Sequence, residues 1–225
     1  MINANSLGFL GQFYYGLKDN LKRIYQNSNF YEKKISKTFE NNFQYKPSPH
    51  LLSSIIKYQN KKYRIEDFAV ESIWQNKMRL KDYGKLNNFF WFFSLDLKSS
   101  KETTQSVIKN WVKDNGKYNK NSWEFDITSK RIIAWLSNHQ LTYEDSDKDY
   151  RLMFDHMIQK QSNHLLNEIN SSNEFENKLI GCSAIILTGL AYKNEKNYLE
   201  SGLAILKNII KSSIDNQGFP KTMAN

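Results

Sequence analysis

Apolar residues recur every three or four positions along most of this chain, which is the spacing of one helix face. Phe9, Phe13, Leu17, Leu21 and Tyr25 set the rhythm early and predict a helix over residues 5–26. Two of the three prolines follow at Pro47 and Pro49, in KPSPH, and mark a break between an N-terminal region and the rest. In KKYRIEDFAVES, Tyr63, Ile65, Phe68 and Val70 alternate only in part, so a short strand or an extended connector is expected there.

From about residue 84 the helical pattern is continuous. SSKETTQSVIKNWVKDNG has Ser, Thr and Glu102 suited to a helix start, a stripe of Val107, Ile108, Trp111 and Val112, and Gly116 suited to the stop. DITSKRIIAWLSNHQ offers Asp126 or Thr128 as a cap before Ile132, Ile133, Trp135 and Leu136. A long helix follows, with Tyr150, Met153, Phe154, Met157, Ile158, Leu165 and Ile169 near one face. FENKLIGCSAIILTGLAY is apolar nearly all round beyond Leu179, the mark of a helix buried on most sides, whereas NYLESGLAILKNIIKSSI is apolar on one face and lysine-bearing on the other. Short connections imply antiparallel neighbours stacked in sequence. The expected fold is therefore all-α, built from antiparallel helix hairpins as in a helical solenoid or a double-layered toroid, without a strict sequence repeat.

Composition narrows the classes of function only a little. The 225 residues carry 32 basic and 23 acidic side chains, a net charge of +9 that suits a polyanionic partner: nucleic acid, anionic lipid or acidic polysaccharide. The lysines are scattered, with pairs such as Lys33-Lys34 and Lys61-Lys62 beside Glu32 and Glu66, as on ordinary solvated helix faces. An AT-rich genome would raise Lys, Asn, Ile, Phe and Tyr together in the same way. The N-terminal residues have neither a basic n-region nor a small-residue cleavage site, so no signal peptide is expected from them, and no apolar run reaches the roughly 20 residues that span a bilayer. Cys182 lies in an apolar run and is expected as a small buried residue. No phosphate-binding glycine loop, metal-spaced Cys/His set or nucleophile elbow is present, and neither a metal nor a cofactor is expected.

Four features could carry chemistry, and each has a structural reading beside it. The aromatic run NNFFWFFSLDLKSS, residues 87–100, is either a core helix packing Phe90, Trp91 and Phe93, with Asp96 capping or pairing, or a platform for sugar rings. Trp123, Arg131 and Trp135 are either a carbohydrate or acidic-ligand surface, through stacking and bidentate hydrogen bonds, or a packed corner with a stacked guanidinium. His139, His156 and His164 have no neighbour at ligand spacing, except His156 with Gln159 and Gln161, and read as surface or satisfied histidines. Asn177, at the entrance to the buried helix, suits a cap or first-turn position.

Taken in order, FFWFFSLDLKSS, IKNWVKDN, SWEFDITSKRIIAWLSN, QKQSNHLL, NKLIGCSAIILTGLAY and SIDNQGFPKTMAN resemble the helical domain of heparinase II/III-like polysaccharide lyases over residues 75–225. The resemblance implies an incomplete α/α toroid preceded by a less regular region at residues 1–74. It also implies a fragment of a longer protein, since the family's C-terminal domain of stacked β-sheets has no counterpart here. The family's reaction is β-elimination at a uronic acid, at a cell envelope or periplasmic location. Its site must neutralise charge building on the substrate carboxylate and supply a base and an acid.

By that resemblance Asn177 is the catalytic residue that holds the carboxylate, with Lys178 where the family has His. The closing loop matches at Asp215 and Gly218, with Lys221 and Met223 near the position of the family's arginine, and the family's Tyr would lie beyond Asn225. Trp123, Arg131, Trp135 and Lys221 are then the expected substrate-binding residues, the partner is an acidic polysaccharide rather than nucleic acid or membrane, and this chain alone is expected to be inactive. Two alternatives stand beside it: a carbohydrate-binding or envelope-assembly toroid without catalysis, and a helical scaffold that binds protein or nucleic acid through its lysines.

Overall fold

The computed structural model describes residues 4–37, 80–94, 101–172, 174–192 and 196–213, with Asp215, Gly218 and Lys221. The KPSPH break, the extended stretch around Tyr63, the 74/75 boundary, the Leu95-Asp96-Leu97 end of the aromatic run and Met223 lie outside these residues. Among the described residues all regular structure is helical, so the chain is all-α. The helices are α1 (Ala4–Gln26), α2 (Asn29–Ile35), α3 (Leu80–Asn87), α4 (Lys101–Asn115), α5 (Phe125–Ser137), α6 (His139–Thr142), α7 (Lys148–Glu168), α8 (Phe175–Ala191) and α9 (Lys196–Ser213), with 3-10 turns at Phe90–Ser94 and Ile169–Ser171.

Local chemistry accounts for several of the ends. The Asp147 carboxylate accepts from the Tyr150 backbone N–H at 2.7 Å and opens α7, and the Ser28 hydroxyl accepts from the Tyr31 N–H to open α2. Helix α4 stops before Gly116, where an added Cβ would lie 2.4 Å from the Val112 carbonyl oxygen. Helix α5 starts earlier than its polar residues suggest. Its N-cap is Glu124, without a side-chain cap bond, and Asp126 sits in the first turn, paired with Lys130 one turn on. Thr128 lies inside the helix, fully buried, where its hydroxyl accepts from Arg131. Neither expected cap is used, because both side chains are bonded within the helix itself, Asp126 to Lys130 and Thr128 to Arg131.

Helix α8 packs against α9 on one side and against α5 and α7 on the other, as its nearly uniform apolar surface requires. The α8–α9 pair is antiparallel: Gly189 lies under Leu199, Gly202 under Ile186, and the Cys182 thiol donates to the Gly202 carbonyl at 3.0 Å. A Cβ at Gly189 would meet the Leu199 backbone nitrogen at 2.4 Å, so this crossing is close enough to demand glycine. At the other end of α8, the Phe125 ring fills the space over Gly181 and locks α5 to α8.

The N-terminal helices join the same core. Tyr31 and Ile35 of α2 are buried among Trp123 and the α7 side chains, and Asn163 of α7 donates to the Ile35 carbonyl at 2.9 Å. Helix α1 attaches differently. Gln26 donates to Glu168 at 2.8 Å and accepts from Tyr118 at 2.8 Å, and Lys22 pairs with Glu168, while Leu17 and Leu21 are exposed. The expected span of α1 is close to that observed, but Leu17 and Leu21, of the apolar face drawn for it, are turned outward.

Candidate functional site

Arg131 stands at the centre of the most extensively bonded polar group in the interior. Its guanidinium donates to Gln161 Oε1 at 2.6 Å, to the Asn87 and Ser122 carbonyls at 2.9 Å each, and to Thr128 Oγ1 at 3.2 Å. It stacks 4.0 Å over Trp111, which meets Trp135 edge to face. Among the described residues no carboxylate pairs with it. Burial lowers its pKa, and four oxygen acceptors with an aromatic face take the place of a counterion. Trp111 Nε1 in turn donates to Asn87 Oδ1 at 2.7 Å, so the node ties α3, α4, α5 and α7 together.

The aromatic run completes this wall. Phe89, Phe90 and Phe92 are buried, Trp91 and Phe93 are half-buried, and the segment Phe90–Ser94 forms a 3-10 turn rather than the expected core helix. Phe89 has φ of 56°, a left-handed conformation that costs a bulky residue about 1–3 kcal/mol. Its ring contacts Trp111 and Trp135 edge to face, and the neighbouring Asn87 carbonyl is held by Arg131, so packing enforces the strained backbone.

The expected sugar surface of Trp123, Arg131 and Trp135 is therefore corrected: all three are 1% exposed or less and form the packed corner instead. Trp123 Nε1 donates to the Asn115 carbonyl, and its own carbonyl holds His164. The hydrophobic area of two indoles and the satisfiable geometry of one guanidinium are worth more inside than at the surface.

Asn177 lies elsewhere, on the first turn of α8 at the wall of an open cleft of about 330 Å³. Lys22 of α1, Glu124 to Asp126 of α5, and Glu168, Ser171, Ser172 and Glu174 complete the lining. The Asn177 amide donates to Glu174 at 2.6 Å, and Lys22 and Lys130 are paired with Glu168 and Asp126. Four carboxylates thus face this opening, two of them on the N-cap residues of α5 and α8, where the helix dipole favours negative charge. Lys221 is at the far end of α9, exposed, and donates to the Lys211 carbonyl at 3.0 Å. It is not among the residues that line the Asn177 cleft.

Three buried polar ties escaped the sequence reading. His164, on α7, accepts from or donates to the Tyr31 hydroxyl at 2.7 Å through Nδ1 and the Trp123 carbonyl at 2.8 Å through Nε2. A carbonyl can only accept, so Nε2 carries the proton and Tyr31 donates to Nδ1. Burial pushes this imidazole down to about 3. Lys160 pairs with Glu32 and donates to the Gly116 carbonyl at 2.6 Å, joining α2 to α7. Asp155 accepts from Tyr143 at 3.0 Å and Tyr192 at 2.9 Å, and burial raises its carboxyl to about 6 despite those donors. The cleft carboxylates did leave a trace: Glu-Phe-Asp at 124–126 and Glu-Phe-Glu at 174–176 open α5 and α8 alike.

His156 is exposed, while His139 is buried beside Glu144 at 3.4 Å. Among the described residues no three His, Cys, Asp or Glu side chains gather as a metal set, and no helix is long and apolar enough to cross a membrane. Comparison of the chain with protein-family models, curated proteins and solved structures returns no match.

Proposed function

We propose that this chain is part of the helical domain of a polysaccharide lyase of the heparinase II/III type, an incomplete α/α toroid whose whole protein cleaves a uronate polymer by β-elimination. The observation that carries the reading is the position of Asn177. The one side chain the resemblance marks as catalytic is half-buried on a cleft wall at the start of α8, and the cleft is open to a chain of sugars. Four of the six segments that carry the resemblance fall in turn on α4, α5, α7 and α8.

In that role the Asn177 amide would turn from Glu174 to the substrate carboxylate and hydrogen-bond the charge that builds there as the adjacent carbon loses its proton. The reaction needs a base and an acid besides, and no Tyr or His lines this cleft. The proposal assigns both to residues outside the described part of the chain, and the site of action to the periplasm or cell envelope. The net charge of +9 favours encounter with an acidic polymer at long range.

A second reading draws on the carboxylates. Glu124, Asp126, Glu168 and Glu174 oppose a uronate at close range, which favours a toroid that binds a neutral or amino-bearing glycan without cleaving it. One experiment separates the two. The protein carrying its natural continuation beyond Asn225 is incubated with a panel of uronate polymers and assayed both for the unsaturated uronate product and for binding. Product formation supports the lyase; binding to glycans without product on any polymer supports the second reading; neither, from folded protein, removes both.

A further inference from the structure

The loop after α4 is fastened to α2 by bonds beneath it and carries its charges outward. Lys160 of α7 pairs with Glu32 and donates to the Gly116 carbonyl at 2.6 Å, and the Tyr118 N–H donates to Glu32 at 3.5 Å. Glu32 is thereby neutralised from the inside. Lys33, next to it on α2, is exposed, and so are Lys113, Lys117 and Lys120 in and after the last turn of α4. Lys37 joins them: its side chain is exposed, and its carbonyl accepts at 2.8 Å from Asn163, one turn beyond Lys160. Among the described residues none of these five ammonium groups has an ion-pair partner. Asp114 is the one carboxylate between 113 and 120.

At the Asn177 cleft the balance is reversed, with Lys22 paired and four carboxylates in the lining. A polymer of carboxylates is drawn to the lysines and held off by the cleft. The two surfaces are neighbours. The Tyr118 hydroxyl donates to Gln26 at 2.8 Å, Gln26 donates to Glu168 at 2.8 Å, and Glu168 lines the cleft. Lys160, under the lysines, and Glu168 are separated by about 12 Å along α7, a span of a few sugars. Between the lysines the exposed side chains include the amides of Asn119 and Asn121, which can bond sugar hydroxyls. Single-stranded nucleic acid needs free ring faces for its bases, but the Tyr118 ring is packed against Tyr31, Trp123 and His164. Phe30, the exposed ring of α2, lies on the side of that helix away from Glu32 and rests against Tyr25, so no apolar anchor for a lipid surface stands among the lysines.

We propose that Lys33, Lys37, Lys113, Lys117 and Lys120 form a binding platform for an acidic polysaccharide and hold the polymer beside the Asn177 cleft. The platform rests on the reading of this chain as a domain that acts on uronate polymers, and gives the long-range attraction of its positive charge a definite place. The backbone ties to Glu32, Lys160 and Asn163 fix where the lysine stems begin, and the ammonium groups remain in water, free to meet carboxylates along the polymer.

Fluorescence anisotropy of end-labelled oligomers of polygalacturonate and of polymannuronate, titrated with the chain, tests the platform. At least one oligomer is expected to bind, with an affinity that falls as salt is raised. Lys33→Glu, Lys117→Glu and Lys120→Glu together should weaken that binding about 10-fold or more. All three side chains are exposed, so far-ultraviolet circular dichroism and the thermal midpoint should match the wild type. The same change of charge made elsewhere on the surface, by Lys148→Glu, Lys207→Glu and Lys211→Glu, should weaken binding less than about threefold, because salt screens distant charges.

If the folded chain binds neither oligomer, the platform is overturned; product formed by the longer protein would still uphold the lyase reading, which depends on the Asn177 cleft. Equal losses in the two triple variants would overturn it in favour of net charge alone. Tighter binding of an oligothymidylate of the same length, lost in the Lys33, Lys117 and Lys120 variant, would overturn it in favour of nucleic acid. The same pattern with phosphatidylglycerol vesicles would overturn it in favour of a lipid surface.

Discussion

The Arg131 node and the Asn177 cleft are both polar, both rest on α5, and differ in almost every other respect. At the node a cation is shut away from water and every guanidinium bond is to a fixed oxygen, half of them backbone carbonyls that cannot turn away. At the cleft an amide and several charges remain in water, bonded to one another by side chains free to exchange partners. The node holds four helices in place and has no room for a ligand. The cleft stabilises little and can change partners, which is what a binding site requires.

Removing the guanidinium breaks the comparison most directly. Arg131→Ala would strand the Asn87 and Ser122 carbonyls and Gln161 in the interior and open a void beside Trp111. Chemical denaturation should show a loss of about 3–5 kcal/mol.

The next effect separates two buried titrating groups. His164 is held neutral, with a folded pKa of about 3 against 6.5, so the unfolded chain binds a proton there that the folded chain does not. Its contribution is full above pH 6.5 and is lost as pH falls toward 3, at about 1.4 kcal/mol per pH unit. Asp155 runs the other way. Its folded pKa of about 6 lies above 3.8, so the folded chain holds the extra proton and gains stability as pH falls from 6 to 4. In the wild type the two slopes offset each other between pH 6 and 4. Asp155→Asn should uncover the histidine slope, seen as a denaturation midpoint that falls steeply with acid across that window.

The smallest effect belongs to the cleft. Asn177→Ala gives up one exposed bond to Glu174 and should change stability by less than about 0.5 kcal/mol. In the longer protein proposed above, the same variant is expected to lower lyase activity by about 100-fold, a loss that structure cannot account for and that marks a role in stabilising charge on the substrate. A melting curve alongside the assay checks both halves of that statement.

The positions of α1, α4, α7, α8 and α9 were legible because helix periodicity is a local property and their apolar residues repeat over several turns. The start of α5 was not, since Glu124 caps it without a side-chain bond while Asp126 and Thr128 serve Lys130 and Arg131. Asn177 was legible as a first-turn residue, but its neighbours in the cleft come from α1, α5 and the end of α7, up to 155 positions away at Lys22. No spacing along the chain encodes such a meeting.

Trp123, Arg131 and Trp135 make the same point from the other side. Composition identifies residues able to stack and to make forked hydrogen bonds, and those abilities serve a sugar or a protein interior equally well. The sequence by itself determined that the chain is helical and which side chains have polar chemistry to offer. Only the tertiary structure decided which of them face water: Asn177 stays at the surface, whereas Arg131 finds a stacking ring and four acceptors inside, enough to offset the loss of hydration.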